Sequence, residues 1–228
     1  MNQALKHSYN TLKEEVAAFR KQIVERLPQN EDASNLYKGC TIMYSHLIEN
    51  PPFLFIGINP GGGTNDDPKL DPCMGFEYLN ALDDVDYALA RETRGLFTQA
   101  FSETEMLKLL NSSVKTNVYY FITTKANDLW NLFSSFGNDA NRDFHCRAFK
   151  WTEQMIKMVK PKVIVCEGII ALNKISEIYN KPVTREGTCG YFELDDRTLV
   201  FGYSRTPGII KDKPIVAKLL RKKVLGRI

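Results

Sequence analysis

The sequence lacks several features that would assign a protein to a functional class at once. Its 228 residues include only five cysteines and three histidines. The cysteines form no CxxC pair and are widely scattered, at Cys40, Cys73, Cys146, Cys166 and Cys189. This spacing argues against a disulfide framework and against zinc or iron–sulfur ligation. We therefore expect reduced thiols in a cytoplasmic protein, with no metal centre and no cofactor.

Long apolar segments are also missing. No run approaches the roughly 20 apolar residues that a membrane span requires, and the first residues, MNQALKHSYNTLKEEV, do not resemble a signal peptide. With 43% hydrophobic and 25% charged residues, the chain has the composition of a globular protein rather than a disordered one. We expect one domain and no membrane partner.

The net charge is small, but the charged residues are unevenly distributed. The net charge is +3, yet the segment from Arg205 to the end holds eight basic residues and one acid. A basic tail is compatible with a phosphate-rich partner, or with a solvated helix face that has no partner. An acidic stretch contains six clustered aspartates, which we interpret as a solvated loop because no EF-hand spacing is present. They are Asp66, Asp67, Asp71, Asp83, Asp84 and Asp86.

What the sequence does contain is an alternation of apolar runs and helical patterns. Continuous apolar runs predict strands that are buried on both faces, as in a parallel sheet. These runs span residues 53–58, 117–123, 162–166 and 199–203. Apolar residues at steps of three and four predict helices over residues 5–27, 36–48, 93–110, 143–159, 168–179 and 213–223, with a polar loop over 29–35. The order predicts an α/β fold with a parallel sheet.

Ligands of such sheets bind beyond the carboxyl ends of the strands. The segment after the first predicted strand, GINPGGG, is the most specific sequence there. It is not a Walker A loop, because no Gly-Lys-Ser/Thr follows, and a proline interrupts the dinucleotide fingerprint. Its glycines would let backbone N–H groups approach a ligand closely. Asn59 presents a carboxamide, which can orient a water molecule or bond a base edge but cannot act as a strong base.

Three segments together resemble a known family. FLFIGINPGGG resembles motif A of the uracil-DNA glycosylase superfamily, in the GINPG form of the mismatch-specific uracil/thymine glycosylases. KPKVIVCEGIIALNKI is similar to the superfamily's stretch of proline, apolar strand, glycine and helix. LVFGYSRTPGII, followed by a helix, occupies the place of motif B, the strand-end loop that enters the DNA minor groove. The resemblance covers residues 52–223 in the family's order.

The resemblance implies a three-layer αβα sandwich with a central four-stranded parallel sheet. We expect a single domain, in which residues 1–50, which lie outside the resemblance, form a helical extension packed on a glycosylase-like core of residues 51–228. The resemblance also implies a monomeric hydrolase that acts on damaged or mismatched DNA without a metal. Such an enzyme flips a uracil or a related damaged base into a pocket and hydrolyses its N-glycosidic bond.

Site residues follow from the same resemblance, position by position. Asn59 would orient the attacking water. The base pocket would be lined by Gly57, Ile58, Pro60, Gly61, Phe76 and Thr123. The DNA-binding loop would consist of Ser204, Arg205, Thr206, Pro207, Gly208 and Ile209. Phosphate contacts would come from Lys211 and Lys213. For Phe76, and for Tyr78 as an alternative stacking residue, packing in the core is the other interpretation.

Two departures from the family leave the function open. Motif B lacks the usual histidine, so Arg205 would have to supply positive charge near the developing anion or near a phosphate. In the aligned stretch at the end of the predicted second strand, Phe121-Ile122-Thr123-Thr124, there is no amide before Asn127, whereas relatives read the uracil edge there with an asparagine. In the motif B loop, Ile209 and Ile210 either wedge into the base stack or begin the burial of the last helix.

Two other functions remain compatible with these observations. The first is a non-catalytic or repurposed protein on the same fold that binds nucleic acid or nucleotides, because a fold does not determine a function. The second is a protein whose glycine-rich loop binds the phosphate of a small metabolite.

Overall fold

The computed structural model describes residues 3–61, 70, 75–80, 87–206 and 208–228. Pro207, Gly62, Gly63 and the six clustered aspartates lie outside the described residues. The chain groups into two compact units that interleave along the sequence. The first unit comprises Met1–Met43, Ile58–Pro72 and Asn117–Met158, and the second comprises Tyr44–Gly57, Cys73–Thr116 and Val159–Ile228. A search of the described helices finds none that is long and apolar enough to cross a membrane.

Helices and strands alternate through most of the chain. In order they are α1 (Gln3–Arg26), α2 (Glu31–Leu36), β1 (Phe53–Gly57), α3 (Glu77–Asn80), α4 (Ala88–Ala100), α5 (Glu103–Asn111), β2 (Val114–Asn117), α6 (Ala126–Ser134), α7 (Asn138–Val159), β3 (Val163–Cys166), α8 (Ile169–Tyr179), β4 (Thr184–Glu186), β5 (Cys189–Glu193), β6 (Leu199–Tyr203), β7 (Arg205–Thr206), β8 (Ile209–Ile210) and α9 (Lys213–Val224).

The N-terminal helix of the first unit forms where its apolar spacing predicts. Its buried residues repeat at steps of three and four and are Leu5, Tyr9, Leu12, Val16, Phe19 and Ile23. A 3₁₀ turn that contains Pro28 follows it. The Asn30 side chain then accepts a hydrogen bond from the Ala33 N–H at 2.9 Å and so caps α2. The polar loop predicted over residues 29–35 is therefore wrong, because this cap starts a helix there.

The helix predicted over residues 36–48 is wrong as well. This stretch is extended or irregular, and it is held by backbone pairing to the segment around Phe121. The Thr41 N–H donates to the Tyr120 carbonyl at 2.8 Å, and Cys40 forms a β-bridge with Phe121. Cys40 and Met43 are buried, but in a paired extended segment rather than on a helix face. Non-local pairing has overridden the local periodicity.

A mixed sheet forms the centre of the second unit. Among the described residues it has six strands in the order β2-β1-β3-β6-β5-β4, where four were expected. The strands β1, β3 and β6 pair in parallel, with Phe55 opposite Val165 and Val165 opposite Phe201. The last two strands, β5 and β4, are antiparallel and extend one edge of the sheet beyond the four predicted strands. The α/β class and three of the four predicted strands are confirmed.

Both faces of these parallel strands are covered by helices. Phe55, Val165 and Phe201 lie in one core cluster with residues of α4 and α9. On the opposite face Gly202 approaches α8, since a Cβ placed at Gly202 would lie only 2.9 Å from the Cβ of Leu172. Because neither face meets solvent, the strands are apolar throughout, and polar side chains must lie beyond the strand ends.

Two predicted boundaries in this part of the chain need correction. The second strand ends at Asn117, whereas the prediction had it begin there. The strand contains polar residues such as Lys115, which can be buried because they find partners inside the protein. The Ser45 hydroxyl, for example, accepts the Lys115 backbone N–H at 2.9 Å. The single helix predicted over residues 93–110 is two helices, since Ser102 adopts a φ of 133° and caps α5 through the Glu105 N–H at 3.3 Å.

The close approach between Gly202 and Leu172 gives a test of this packing. We expect Gly202→Ala to lower the free energy of unfolding by about 1–3 kcal/mol, because the new methyl group must push α8 away from β6. Denaturant unfolding followed by circular dichroism measures the change. Gly61→Ala is the matched control, since a Cβ at Gly61 meets no atom within 4 Å. Equal stability of the two variants would contradict the packing described.

Candidate functional site

The Asn59 side chain in the first unit has a defined orientation. Its Nδ2 donates to the Thr123 Oγ1 at 2.9 Å and to the Pro60 carbonyl at 3.1 Å. The Thr123 hydroxyl uses its own proton on the Lys125 carbonyl, at 2.8 Å, so its oxygen can only accept from Asn59. The amide group of Asn59 therefore points toward Thr123. Its half-buried Oδ1 has no hydrogen-bond partner among the described residues and is left as an acceptor.

The chain around Asn59 is aligned by backbone pairing. The Tyr119 N–H donates to the Ile58 carbonyl at 3.0 Å, and Gly61 forms a parallel bridge with Thr123. Thr123 is fully buried, whereas Gly61 is exposed. The structure thus brings Ile58, Asn59, Pro60, Gly61 and Thr123 together, five of the residues that the resemblance selects.

Asn117 is a polar residue of the same unit that the sequence analysis did not select. It is the last residue of β2 and lies two positions before Tyr119, whose N–H bonds the Ile58 carbonyl. The side chain is only 3% exposed, and its Nδ2 is buried with no hydrogen-bond partner in the described part of the chain. A buried amide donor without a partner is rare and costly, and it suggests that a ligand group completes the site. The sequence places an asparagine just before an apolar run, but the misplaced strand boundary concealed it.

Two of the predicted pocket residues lie in the second unit. Gly57 is the buried last residue of β1. Phe76 is 2% exposed, and its ring centroid lies 5.3 Å from that of Phe55 and 5.6 Å from that of Tyr78. The contacts of Phe76 are thus those of a core aromatic residue, the other interpretation given for it.

The predicted DNA-binding loop forms a short hairpin in the second unit. Arg205 pairs with Ile210 and Thr206 with Ile209, and the Lys211 N–H closes the hairpin on the Ser204 carbonyl at 3.1 Å. Ile209 is 60% exposed, whereas Ile210 is 3% exposed and belongs to the core. Of the two isoleucines considered as a wedge, only Ile209 presents its side chain to solvent.

Arg205 is anchored at the base of this hairpin. Its Nε donates to the Glu167 carbonyl oxygen at 2.7 Å. The side chain packs across Gly168, where a Cβ would lie 3.5 Å from that Nε. The Nη atoms of Arg205 have no hydrogen-bond partner among the described residues, and the residue is half-buried. A guanidinium group held by one nitrogen can still bind an anion through the other two.

A buried ionic cluster lies behind Arg205 in the same unit. The Lys115 Nζ pairs with the Glu77 carboxylate at 2.7 Å and lies 4.0 Å from that of Glu167. It also lies 4.8 Å and 4.9 Å from the ring centroids of Tyr44 and Tyr78, within range of cation–π attraction. The Tyr78 hydroxyl donates to the Glu167 carboxylate. Glu167 directly follows β3, so its position could be inferred from the sequence, but its partners could not.

Burial and charge have opposite effects on the pKa values of this cluster. Burial raises the pKa of the Glu167 carboxyl group, although Lys115 and the Tyr78 hydroxyl oppose the change. Burial alone would favour the neutral amine of Lys115, but the carboxylates of Glu77 and Glu167 outweigh it and raise its pKa. Burial, with the nearby Glu167 charge, raises the pKa of Tyr78, which therefore stays a proton donor. The cluster thus pairs Lys115 with two carboxylates, one on α3 and one on the residue whose carbonyl binds Arg205.

Only part of the basic C-terminal segment is free to meet a ligand. Lys213 pairs with Glu92 at 2.7 Å, Arg221 donates to the Ala100 carbonyl, and Arg227 pairs with Glu193. Lys223 lies 3.7 Å from the Tyr191 ring centroid. Within the described part of the chain, the exposed basic residues of this segment that show no such pairing are Lys211, Lys218 and Lys222. Lys211 thus remains available as a phosphate contact, whereas Lys213 is already paired.

Comparison with known proteins adds no family assignment. No protein-family model matches the chain, and a search of the curated proteins finds no match. In the described residues, no group of three or more histidine, cysteine or acidic side chains is placed to hold a metal ion. The features that point to a function are the hydrogen bonding of Asn59, of Asn117 and of Arg205, and the motif resemblance.

The ionic cluster gives a prediction about stability and pH. We expect Lys115→Met to lower the free energy of unfolding by about 3–5 kcal/mol at neutral pH, because it leaves the buried carboxylate of Glu167 and the partly exposed carboxylate of Glu77 without their cation. The folded-state pKa of Glu167, which burial already raises, would then rise further. The loss should therefore shrink as the pH is lowered from about 8 to about 5, where protonation favours the folded variant.

Denaturant unfolding at each pH measures this effect. Lys157→Met is the control, because Lys157 pairs with Glu153 at 2.7 Å on the surface, with side chains 68% and 40% exposed. That change should cost less than about 1 kcal/mol. A Lys115 variant as stable as the control at all pH values would contradict the assignment of a buried ion pair.

Proposed function

We propose that the chain is a base-excision glycosylase that hydrolyses the N-glycosidic bond of uracil or a related damaged base in DNA. The observation that carries the proposal is the buried and unpartnered amide of Asn117, in the same unit as the oriented amide of Asn59. Relatives in the resembled family end their second strand with an asparagine that reads the uracil edge. We assign this role to Asn117, because it is the last residue of the observed β2, whereas the predicted boundaries placed it at the start of the strand.

The chemistry of Asn117 suits the edge of uracil. Its Nδ2 is a donor that matches the O4 carbonyl of the base, and a carboxamide oxygen can accept from the N3–H. In a duplex the N3–H is occupied by base pairing, so one amide can bind both atoms only after the base has been flipped out. In the free protein the buried Asn117 donor carries the free-energy cost of lacking a partner. A base that supplies the partner removes this cost, so the site favours that base over one that does not.

Asn59 suits a role in placing water rather than in attacking the substrate. The Thr123 hydroxyl holds its amide nitrogen, so that Oδ1, which has no partner among the described residues, can accept a hydrogen bond from a water molecule. In this mechanism the bond from the base to C1′ breaks first, and its electron pair leaves with the base as an anion. The oriented water then adds to the cationic sugar, and its proton passes to the released base anion. Such a dissociative reaction needs only groups that stabilise the charge of the transition state and that position the water molecule. We assign to Arg205 the binding of an anionic group, since its Nη atoms have no hydrogen-bond partner among the described residues.

The sheet supports the finer part of the fold assignment. The run β2-β1-β3-β6 provides four adjacent strands, and β5 and β4 extend one edge. We propose that these four strands are the core of a three-layer uracil-DNA glycosylase-like fold. We also propose that the protein acts as a monomer on damaged or mismatched DNA.

The first test is excision of uracil from labelled oligonucleotides, single-stranded and opposite guanine or adenine. We expect the wild-type chain to release uracil, and Asn59→Ala to lower kcat by roughly 100-fold or more because the water is no longer positioned. Asn117→Asp replaces the buried donor by an acceptor, and should lower kcat/KM by roughly 100-fold or more. Asn127→Ala, which changes an exposed asparagine, is the control and should keep full activity.

Thermal unfolding of each variant separates lost activity from lost structure. Release of no base by the folded wild-type chain, with DNA still bound, would favour the alternative of a binding protein on this fold. Stabilisation by small phosphorylated metabolites without DNA binding would instead favour the third function.

The free lysines of the C-terminal segment predict how DNA affinity depends on salt. Replacing Lys211, Lys218 and Lys222 together by glutamine should reduce the slope of log K against log salt by about 2 to 3, since each phosphate contact contributes about 0.9. The matched control is a triple glutamine variant at Lys108, Lys162 and Lys181, exposed lysines of the same unit, which removes the same charge. Equal slopes in the two triple variants would show that overall charge, and not this surface, attracts the DNA.

A further inference from the structure

The hairpin that carries Ile209 is attached to α4 through one carboxylate. Glu92 Oε2 accepts the Ile210 N–H at 3.0 Å, and Glu92 Oε1 accepts from the Lys213 Nζ at 2.7 Å. One side chain thus joins the second strand of the hairpin to the first residue of α9. Glu92 and Lys213 are about three-quarters buried, with side chains 22% and 24% exposed, so solvent screens the pair less than a surface pair.

The tip of the hairpin lies directly on the first turn of α4. Gly208 has a φ of 74°, and a Cβ placed there would lie 2.6 Å from the Cβ of Ala88. A side chain at this position would be strained by the backbone and would also collide with the helix. Together with the Arg205 anchor on Glu167, these contacts hold the hairpin at its base, its tip and its second strand.

A hairpin held so firmly presents an exposed apolar side chain in a fixed position. Ile209 is 60% exposed, while its neighbour Ile210 is buried beneath it. Holding the hairpin in advance reduces the entropy lost when Ile209 inserts into a partner. We propose that Glu92 is a positioning residue, which holds the hairpin so that Ile209 engages the gap left by an extruded nucleotide. This role rests on the proposed glycosylase function.

The test compares Glu92→Gln with the wild-type chain on duplex DNA that contains uracil. The variant removes the charge and weakens both hydrogen bonds while it preserves the size of the side chain. We expect KM for duplex substrate to rise roughly tenfold and kcat to change by less than about twofold, because binding is weakened and the water is still placed by Asn59. Exchange of the Ile210 amide hydrogen should become faster. Gly208→Ala, which pushes the tip away from Ala88, should give the same separation of KM from kcat.

Glu193→Gln is the matched control, because Glu193 forms an ion pair of the same length, 2.7 Å, with Arg227 in the same unit. It should leave KM unchanged. An active wild-type chain with a Glu92→Gln variant that matches it in KM and in Ile210 exchange would overturn the positioning role alone. Parallel loss of kcat and thermal stability without a rise in KM would show a merely structural role. A wild-type chain that neither binds nor cuts DNA would overturn this role together with the proposed function.

Discussion

Burial of the parallel strands on both faces is the constraint from which the other features follow. With α8 on one side and α4 and α9 on the other, β1, β3 and β6 have no solvent-facing side chains. Polar groups on such strands would be buried without partners, so they occur at or beyond the strand ends. Glu167 directly follows β3, Arg205 lies two residues after β6, and Asn59 lies two residues after β1. The chemistry is therefore concentrated at positions that the topology selects.

Hydrogen-bond accounting distinguishes the two asparagines of the first unit. The Asn59 amide has its donors satisfied and its acceptor free, because Thr123 has only one proton and uses it elsewhere. Asn117 is in the opposite state, with a buried donor that has no partner in the described residues. One residue can therefore accept from water and the other can donate to a base carbonyl. Complementary roles arise from identical side chains because their surroundings differ.

Several charged side chains of the second unit pair with one another inside that unit. Lys115 compensates Glu77 and Glu167, and Glu92 compensates Lys213. Such pairs organise the α3 segment and the hairpin more than they attract partners, since each cation lies against a carboxylate of the same unit. Among the described residues of the C-terminal segment, the groups that remain for a polyanion are the Nη atoms of Arg205 and three lysines. A charge count of the C-terminal segment alone overstates the surface available to DNA.

Local pattern was sufficient for the α/β class, for β1, β3 and β6, for α1 and for the loop that carries Asn59, because continuous apolar runs and three–four spacing report burial directly. It failed at residues 36–48 and at β2, where pairing with distant segments outweighs local preference. Local pattern also could not predict the partners of Glu92 and Lys115, or that the Asn117 amide donor lacks one among the described residues. A hydrogen bond or an ion pair between residues tens of positions apart depends on where the chain folds back, and no local spacing records that. The motif that carries Asn59 can thus be recognised from the sequence. The orientation of its amide and the unpaired donor of Asn117 are determined only by the folded chain.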